Sequence, residues 1–227
     1  MNLTDKQKTI IVQVVNVFET GTVTGKYGAV VVYPDGPGKI RQVTFGRSQT
    51  TEYGNLKDLI QMYIDNGGVK ANELRPYLPK FGVTPLADDM VFRQLLEDAG
   101  KNDPIMKRVQ DEFFDLKYFQ PAIKWMDING MVLPLSALVI YDSYVHSGSI
   151  LSFLRQKFPA TVPAKGGDER TWIQQYVNAR HQWLANSSDS LLQKTVYRMQ
   201  CFENEMARNN WDLSILPIIA NRVPVNG

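Results

Sequence analysis

The sequence predicts a mostly helical α+β fold with a small β-sheet lobe, a helical lobe and a cleft between them. Three observations lead to this prediction: an amphipathic helix opens the chain, a β-hairpin follows, and helical periodicity dominates after Gly54. A cleft between the sheet lobe and the helical lobe is the natural consequence of that order. We expect a single domain of two lobes over residues 1–227, because the candidate linker at 159–167 is too short to separate independent domains.

The first helix is marked by its cap and by its periodicity. Thr4 and Gln7 stand three residues apart, which is the spacing of a capping box. Apolar residues then recur at helical spacing up to Gly21. We therefore predict a first helix that ends near Glu19.

The hairpin is predicted from the residue types on either side of a turn. Residues 27–33 are mostly β-branched or aromatic, and residues 40–45 alternate between apolar and polar types. The sequence Pro-Asp-Gly-Pro-Gly at 34–38 separates them and is typical of a turn. We expect two antiparallel strands in this region.

Most of the remaining chain is predicted to be helical. Its most apolar stretch, residues 133–145, is interpreted as a central helix, and we expect the later amphipathic helices to pack around it. Breaks between helices are expected where glycine and proline gather, at residues 67–68, 76–85, 100–104 and 159–167.

Composition indicates a protein with its own core and argues against several classes of partner. Hydrophobic residues make up 44% of the chain, which is ample for a sizeable core. The formal net charge is only +2 and no long run of like charges occurs, so we expect no nucleic-acid partner. No stretch approaches the roughly 20 apolar residues of a membrane-spanning helix, so we expect no membrane association.

The few cysteine and histidine residues argue against a metal centre. Cys201 is the only cysteine, and the two histidines, His146 and His181, lie far apart in the chain without zinc-binding spacing. No glycine-rich phosphate loop with the required spacing occurs either. We therefore expect neither a metal nor a cofactor, and we expect a monomer.

Two carboxylates are candidates for acid–base chemistry. Glu19 lies at the C-terminal end of the first predicted helix, where the helix dipole favours a protonated carboxyl, as a general acid requires. Asp35 lies in the predicted hairpin turn, so it could face Glu19 across the cleft. In an inverting glycosidase such a pair stands about 6.5–9.5 Å apart, with a water between them. Position alone is insufficient for these assignments, because a solvated glutamate at a helix end and an aspartate that serves only the turn are the common alternatives.

Several segments carry a resemblance to a known family. They are the acidic run that leads into Tyr-Phe-Gln-Pro-Ala at 111–122, the helix with Tyr-Asp and His-Ser-Gly at 138–148, Tyr-Val-Asn-Ala-Arg at 176–180, and Asn-Asn-Trp-Asp-Leu at 209–213. In combination they resemble the family 46 chitosanases of the lysozyme-like superfamily. The resemblance implies a lysozyme-like fold and endo-acting, inverting hydrolysis of chitosan, a β-1,4-linked glucosamine polymer, without a cofactor. It also implies that Glu19 is the catalytic acid and Asp35 the base.

The turn after Asp35 departs from the family pattern. The family often continues Asp-Gly-Arg-Gly-Tyr-Thr, whereas Pro-Gly-Lys-Ile follows Gly36 here, so the arginine is missing and the threonine is not clearly aligned. Thr44 is our candidate for the threonine that orients the attacking water, because residues 43–46 are similar to the second strand of lysozyme-like folds. A threonine that merely suits a strand is the alternative.

Three further residues are predicted to bind substrate. Glu52 stands near an acidic position that the family uses for glucosamine units, although an exposed glutamate before a helix could equally serve as a cap. Arg41 and Arg198 are the other two candidates, and Arg198 belongs to the segment that resembles the family's C-terminal helix.

A buried polar network is expected in the helical lobe. Asp142 and His146 are four residues apart on the apolar central helix, so they share one face of it. Arg180 could reach both from a later helix. We interpret these three residues as a structural network rather than as catalysts.

Two alternatives to a chitosanase stay open at the level of sequence. One is a hydrolase of the same fold that acts on peptidoglycan, and the other is an inactive carbohydrate-binding module. We expect a secreted protein. Because the first residues lack a signal-peptide pattern, we also expect that a leader has been removed or that another route delivers the chain.

Overall fold

The computed structural model describes residues 1–47 and 49–227. Contacts within the chain divide it into two compact units. The first unit comprises Met1–Thr24 and Lys117–Gly227, and the second comprises Gly25–Leu116. Helices dominate, and the strands form one small antiparallel sheet in the second unit and a short hairpin in the first. The predicted α+β, mostly helical class is therefore confirmed.

The helices of the first unit are α1 (Asp5–Thr20), α6 (Gln120–Ile128), α7 (Pro134–Ser147), α8 (Ser152–Arg155), α9 (Glu169–Ala185), α10 (Ser190–Gln193) and α11 (Tyr197–Ala207), with the strands β4 (Ile218–Ala220) and β5 (Val223–Val225). The elements of the second unit are β1 (Val30–Tyr33), β2 (Gln42–Phe45), β3 (Thr50–Thr51), α2 (Leu56–Asp65), α3 (Ala71–Leu74), α4 (Met90–Asn102) and α5 (Pro104–Phe114). A π-helical turn, Asp115–Phe119, lies between α5 and α6.

Helix α1 begins and ends where its sequence indicates. The side chain of Thr4 accepts a hydrogen bond from the backbone N–H of Gln7, and the side chain of Gln7 accepts one from the N–H of Thr4. This reciprocal pair confirms the predicted capping box. At the other end Gly21 adopts the left-handed conformation, with φ 72°, and donates to the carbonyl of Val17.

Helix α7 is the centre of the first unit, as predicted. Every side chain from Pro134 to Ser143 is buried, and helices α1, α6, α9 and α11 pack against it. Its first turn is held by the buried Glu169, whose two carboxylate oxygens accept from the backbone N–H groups of Val132 and Leu133. On α11, Cys201 is also buried, and burial raises the pKa of its thiol.

The hairpin of β4 and β5 was not predicted. Its strands have three residues each, and Pro224 stands in the middle of β5 opposite Ile219. Asn221 and Arg222 form the connection with positive φ angles, as the right-handed twist of a tight hairpin requires. The hairpin packs against α1 and α11, so residues near the two ends of the sequence share one core.

The sheet of the second unit has the order β1-β2-β3 and is antiparallel throughout. Its register puts Gln42 opposite Tyr33, and Thr44 opposite both Val31 and Thr51. Because paired residues share a face of the sheet, these five residues form one face, here called the Gln42 face. The opposite face carries Val43 and Phe45, both fully buried, and belongs to the core of this unit.

Within residues 1–47 and 49–227, no helix is both long enough and apolar enough to cross a membrane. In the same described residues, no group of three or more histidine, cysteine or carboxylate side chains is gathered as a metal site would require.

Candidate active site

Glu19 lies in the last turn of α1, and its side chain is 11% exposed. The neighbouring carbonyl of Phe18 accepts a hydrogen bond of 2.7 Å from the hydroxyl of Tyr197, which satisfies one of the free carbonyl groups at the helix end. The rings of Phe18 and Tyr197 also meet edge to face, with their centroids 5.7 Å apart. The helix end that carries Glu19 is thereby fixed to α11.

The carboxylate of Glu19 is held by Arg198. Nη2 of Arg198 donates to Oε1 of Glu19 over 2.7 Å, and Nη1 of the same guanidinium donates to Oδ1 of Asp142 over 2.8 Å. Arg198 is only 4% exposed. Burial lowers its pKa, but the negative charges of Glu19 and then of Asp142 outweigh burial and raise it. Arg198 therefore stays cationic and links a partly exposed carboxylate to a buried one.

Asp142 is bound by a second arginine as well. Nη1 of Arg180 donates to Oδ2 of Asp142 over 2.8 Å and also to Oγ of Ser143. Burial raises the pKa of Asp142, but the guanidinium groups of Arg198 and Arg180 more than offset this, and the pKa is lowered. Asp142 thus stays ionised although no part of its side chain is exposed.

His146 completes the network in its neutral form. Nη2 of Arg180 lies 2.9 Å from Nδ1 of His146, and because a guanidinium can only donate, Nδ1 must be the acceptor. Burial, together with the charges of Arg198 and Arg180, lowers the pKa of His146 to about 3. Asp142, His146 and Arg180 therefore lie in one cluster, the proximity that we expected from their sequence positions.

Arg198 has a different environment from the one that we expected from the sequence. It was predicted to bind substrate, yet its guanidinium is buried and two of its nitrogens are bonded to carboxylates of the protein. We correct its assignment to the network behind Glu19. The sequence offered no local signal for this, because Arg198 and Glu19 are 179 positions apart.

Asp35 lies in the second unit, on the loop between β1 and β2, and it is exposed. Its Oδ1 accepts a hydrogen bond of 3.0 Å from the side-chain amide of Gln42. The next residue, Gly36, lies so close to its neighbours that an added Cβ would meet the carbonyl oxygen of Ile40 at 2.8 Å and the ring of Tyr53 at 3.2 Å. A glycine is needed there, and it brings the loop against Tyr53.

A depression of about 340 Å³ opens beside this carboxylate. It is lined by Asp35, Gly36, Pro37, Gln42, Thr51, Tyr53 and Gly54. The depression therefore joins the turn of the hairpin to the Gln42 face and could receive part of a ligand.

Thr44 is buried on the Gln42 face, two residues along the strand from Gln42. In the described residues its hydroxyl oxygen has no hydrogen-bond partner. A buried hydroxyl without a partner is unusual and costly, unless a water or a substrate group satisfies it. Thr50 has the same property, but it pairs with Phe45 and so lies on the opposite face of the sheet.

Glu52 is not the exposed residue that we expected from the sequence. It is 3% exposed, and its two carboxylate oxygens accept from the backbone N–H groups of Val43 and Leu86, over 3.0 and 2.8 Å. These bonds tie strand β2 to the segment before α4. We therefore correct the predicted sugar-binding role of Glu52 to a structural one.

Arg41 lies immediately before strand β2. Its guanidinium binds both carboxylate oxygens of Asp88, over 2.9 and 3.2 Å, and both side chains are largely exposed. Arg41 is thus accessible, but its charge is shared with an acidic neighbour.

The profile of a family described as "Glycosyl hydrolase family 46" matches residues 13–217 of the chain. The chain belongs to glycosyl hydrolase family 46. It is therefore a glycoside hydrolase, as the sequence motifs predict.

The similarity of this family 46 hydrolase to individual proteins extends over almost its whole length. A chitosanase of Bacillus subtilis strain 168 is 27% identical over 230 residues, which cover 93% of this chain and 81% of that protein. The solved family 46 chitosanase of Gynuella sunshinyii, in complex with chitotetraose, is 24% identical, with a TM-score of 0.84 and 98% of each chain covered. A mutant chitosanase of Bacillus subtilis MY002, complexed with 6 GlcN, is 23% identical, with a TM-score of 0.86 over 99% of this chain and 100% of that one. These structures confirm the lysozyme-like fold of the family 46 hydrolase.

Proposed function

We propose that this family 46 hydrolase is a chitosanase. It cleaves β-1,4-linked glucosamine polymers at internal linkages and inverts the configuration at the anomeric carbon. Glu19 is the general acid and Asp35 the general base of this reaction. Thr44 orients the attacking water.

The observation that carries the proposal is the ion-pair network behind Glu19. Oε1 of Glu19 is engaged by Arg198, so the carboxyl group has a fixed orientation and its other oxygen is available to carry a proton. A general acid needs a fixed orientation to reach the glycosidic oxygen. The similarity to a chitosanase over 93% of the chain supports chitosan as the substrate.

Each proton has a place in the proposed reaction. Asp35 takes a proton from a water as the oxygen of that water attacks the anomeric carbon. The bond between that carbon and the glycosidic oxygen breaks, and Glu19 gives its proton to the departing oxygen. Solvent then reprotonates Glu19 and takes the proton from Asp35, so the enzyme returns to its starting state.

The role of charge in substrate binding differs from our expectation from sequence. Chitosan carries ammonium groups, and we expected Glu52 to be one of the carboxylates that bind them. Since Glu52 is buried and both of its carboxylate oxygens accept from backbone amides, it is not one of the carboxylates that bind these ammonium groups.

The substrate is tested by two assays on the same preparation. We expect reducing ends to be released from highly deacetylated chitosan and no loss of turbidity from purified peptidoglycan, with Glu19→Gln protein as the control in both assays. Activity on peptidoglycan alone would overturn the substrate. Inactivity on both polymers would favour the inactive carbohydrate-binding module.

The mode of cleavage has its own measurement. Proton NMR of the first products is expected to show the anomer opposite to the linkage in the polymer, because a water attacks directly in an inverting mechanism. Retained configuration would contradict the role of Asp35 as a base. If the viscosity of the chitosan solution falls faster than reducing ends are released, the enzyme cleaves the polymer at internal linkages.

We also propose that the enzyme acts outside the cell, because the polymer that it degrades is found there. We further propose that it acts as a monomer. Detection of active enzyme in culture medium and the molar mass from light scattering test these two statements.

A further inference from the structure

Gln42 has both ends of its side-chain amide engaged. Its Oε1 accepts a hydrogen bond of 3.2 Å from the backbone N–H of Tyr53, and its Nε2 donates one of 3.0 Å to Oδ1 of Asp35. A backbone N–H can only donate, so the contact with Tyr53 decides which way the amide is turned. The NH₂ group must then face Asp35.

The surroundings of Gln42 restrict its side chain to this orientation. The side chain is buried, and it belongs to a strand that is paired on both sides, with Tyr33 opposite Gln42 on β1. A buried amide with two bonds has few alternative rotamers. Gln42 is therefore a rigid group, whereas Asp35 is an exposed residue in a loop.

In the described residues, no cationic side chain binds the carboxylate of Asp35. Pro37 stands where the family motif often has an arginine, and no ion pair of Asp35 is found in residues 1–47 and 49–227. The nearest arginine in sequence, Arg41, binds Asp88 instead. The carboxylate of Asp35 is thus met by a neutral donor.

We propose that Gln42 is the positioning residue of the general base: it holds Oδ1 of Asp35 so that Oδ2 is presented to the attacking water. This inference rests on the proposed function, since it assumes that Asp35 is the base. A neutral donor suits that task, because Asp35 must gain a proton during the reaction and a bound cation would oppose the gain. Gln42 aims the carboxylate without this opposition.

Two substitutions separate positioning from structural support. Gln42→Glu keeps an acceptor for the N–H of Tyr53 but turns a carboxylate oxygen toward Asp35. Two facing carboxylates resist joint ionisation, so the acidic limb of the kcat/KM profile for chitosan should move to higher pH. Gln42→Leu removes both bonds and should lower kcat at least about tenfold while KM changes less than about twofold. Thermal unfolding of each variant identifies any loss of the fold.

A comparison in the Asp35→Asn background completes the test. If Gln42 acts through Asp35, Gln42→Leu should lower the residual kcat of Asp35→Asn by less than about twofold. An equal fall in both backgrounds, or a Gln42→Glu profile that coincides with that of the wild type, would overturn the positioning role while the base assignment stands. Nearly full turnover by Asp35→Asn alone would instead overturn the base assignment of the proposed function, and the role of Gln42 with it.

Discussion

Nη2 of Arg198 lies 2.7 Å from Oε1 of Glu19, although 179 positions separate the two residues in the sequence. Glu19→Gln keeps an oxygen that can accept from Arg198 but has no acidic proton to give to the glycosidic oxygen. We expect turnover of chitosan to fall at least about 100-fold, the usual range for loss of a general acid, with the melting temperature close to that of the wild type. Reducing-end assays measure the loss of turnover, and thermal unfolding measures the melting temperature. Turnover within about tenfold of the wild type would refute the role of Glu19.

Removal of the Arg198 guanidinium should destabilise the fold. In Arg198→Met the fully buried Asp142 loses one of its two cationic partners, and breaking a buried pair in this way costs about 3–5 kcal/mol. Urea unfolding measures the loss. Arg41→Met is the matched control, because the pair of Arg41 with Asp88 is exposed and should contribute about 1 kcal/mol or less. Equal losses in the two variants would contradict the structural importance of the network.

Stability should depend on pH through His146. The folded protein holds this residue neutral, with its pKa lowered to about 3 from the ordinary 6.5. Between these two values the unfolded chain binds more protons than the folded protein, so stability falls as the pH falls from 6.5 towards 3.

His146→Asn keeps an acceptor for Arg180 but does not titrate in this range. We expect the free energy of unfolding to fall by about 1–3 kcal/mol more in the wild type than in this variant between pH 7 and pH 4. Urea unfolding at a series of pH values measures the difference. Parallel pH dependence in the two proteins would show that His146 takes up its proton equally well in the folded state.

The hydroxyl of Thr44 should matter for turnover and not for stability. Thr44→Val keeps the shape and removes a buried hydroxyl that has no partner in the described residues, so the melting temperature should stay level or rise. If this hydroxyl orients the attacking water, kcat should fall about 10–100-fold. Thr50→Val removes an equivalent hydroxyl from the opposite face of the sheet and should leave kcat unchanged. The water-orienting role fails if the two variants have the same kcat.

Glu52→Gln should weaken the fold rather than the binding of substrate. Each oxygen of Glu52 accepts from a backbone N–H, so an amide NH₂ in the same place meets a donor, and one N–H loses its partner. We expect a loss of about 1–3 kcal/mol in urea unfolding, with KM for chitosan nearly unchanged at temperatures where the variant is folded. A raised KM without a loss of stability would restore the substrate-binding role.

Local signals in the sequence were sufficient for much of the fold. The cap of α1 depends on residues three positions apart, and the central helix on a continuous apolar stretch, so both could be predicted. Strand β3 has only two residues, which is too short for any periodicity. The C-terminal hairpin was missed because a proline interrupts its second strand and its turn, Asn221-Arg222, lacks glycine.

The candidate site was predictable in its residues but not in their partners. Asp142 and His146 share a helix face, so their proximity could be inferred, whereas the contact of Arg198 with Glu19 depends on tertiary packing. Burial of Glu52 depends equally on distant backbone groups, since Leu86 lies 34 positions away. The sequence gives no measure of whether a charged side chain ends at the surface or against a distant amide.

The buried thiol of Cys201 makes the protein a convenient object for site-directed labelling. It is the only cysteine in the chain, and its burial and raised pKa leave little thiolate to react. A cysteine introduced at an exposed position, such as Tyr33 at the edge of the Gln42 face, would therefore be modified selectively without prior removal of the native one. A fluorophore attached there would report the arrival and departure of an oligosaccharide in real time, even in variants too slow for a turnover assay.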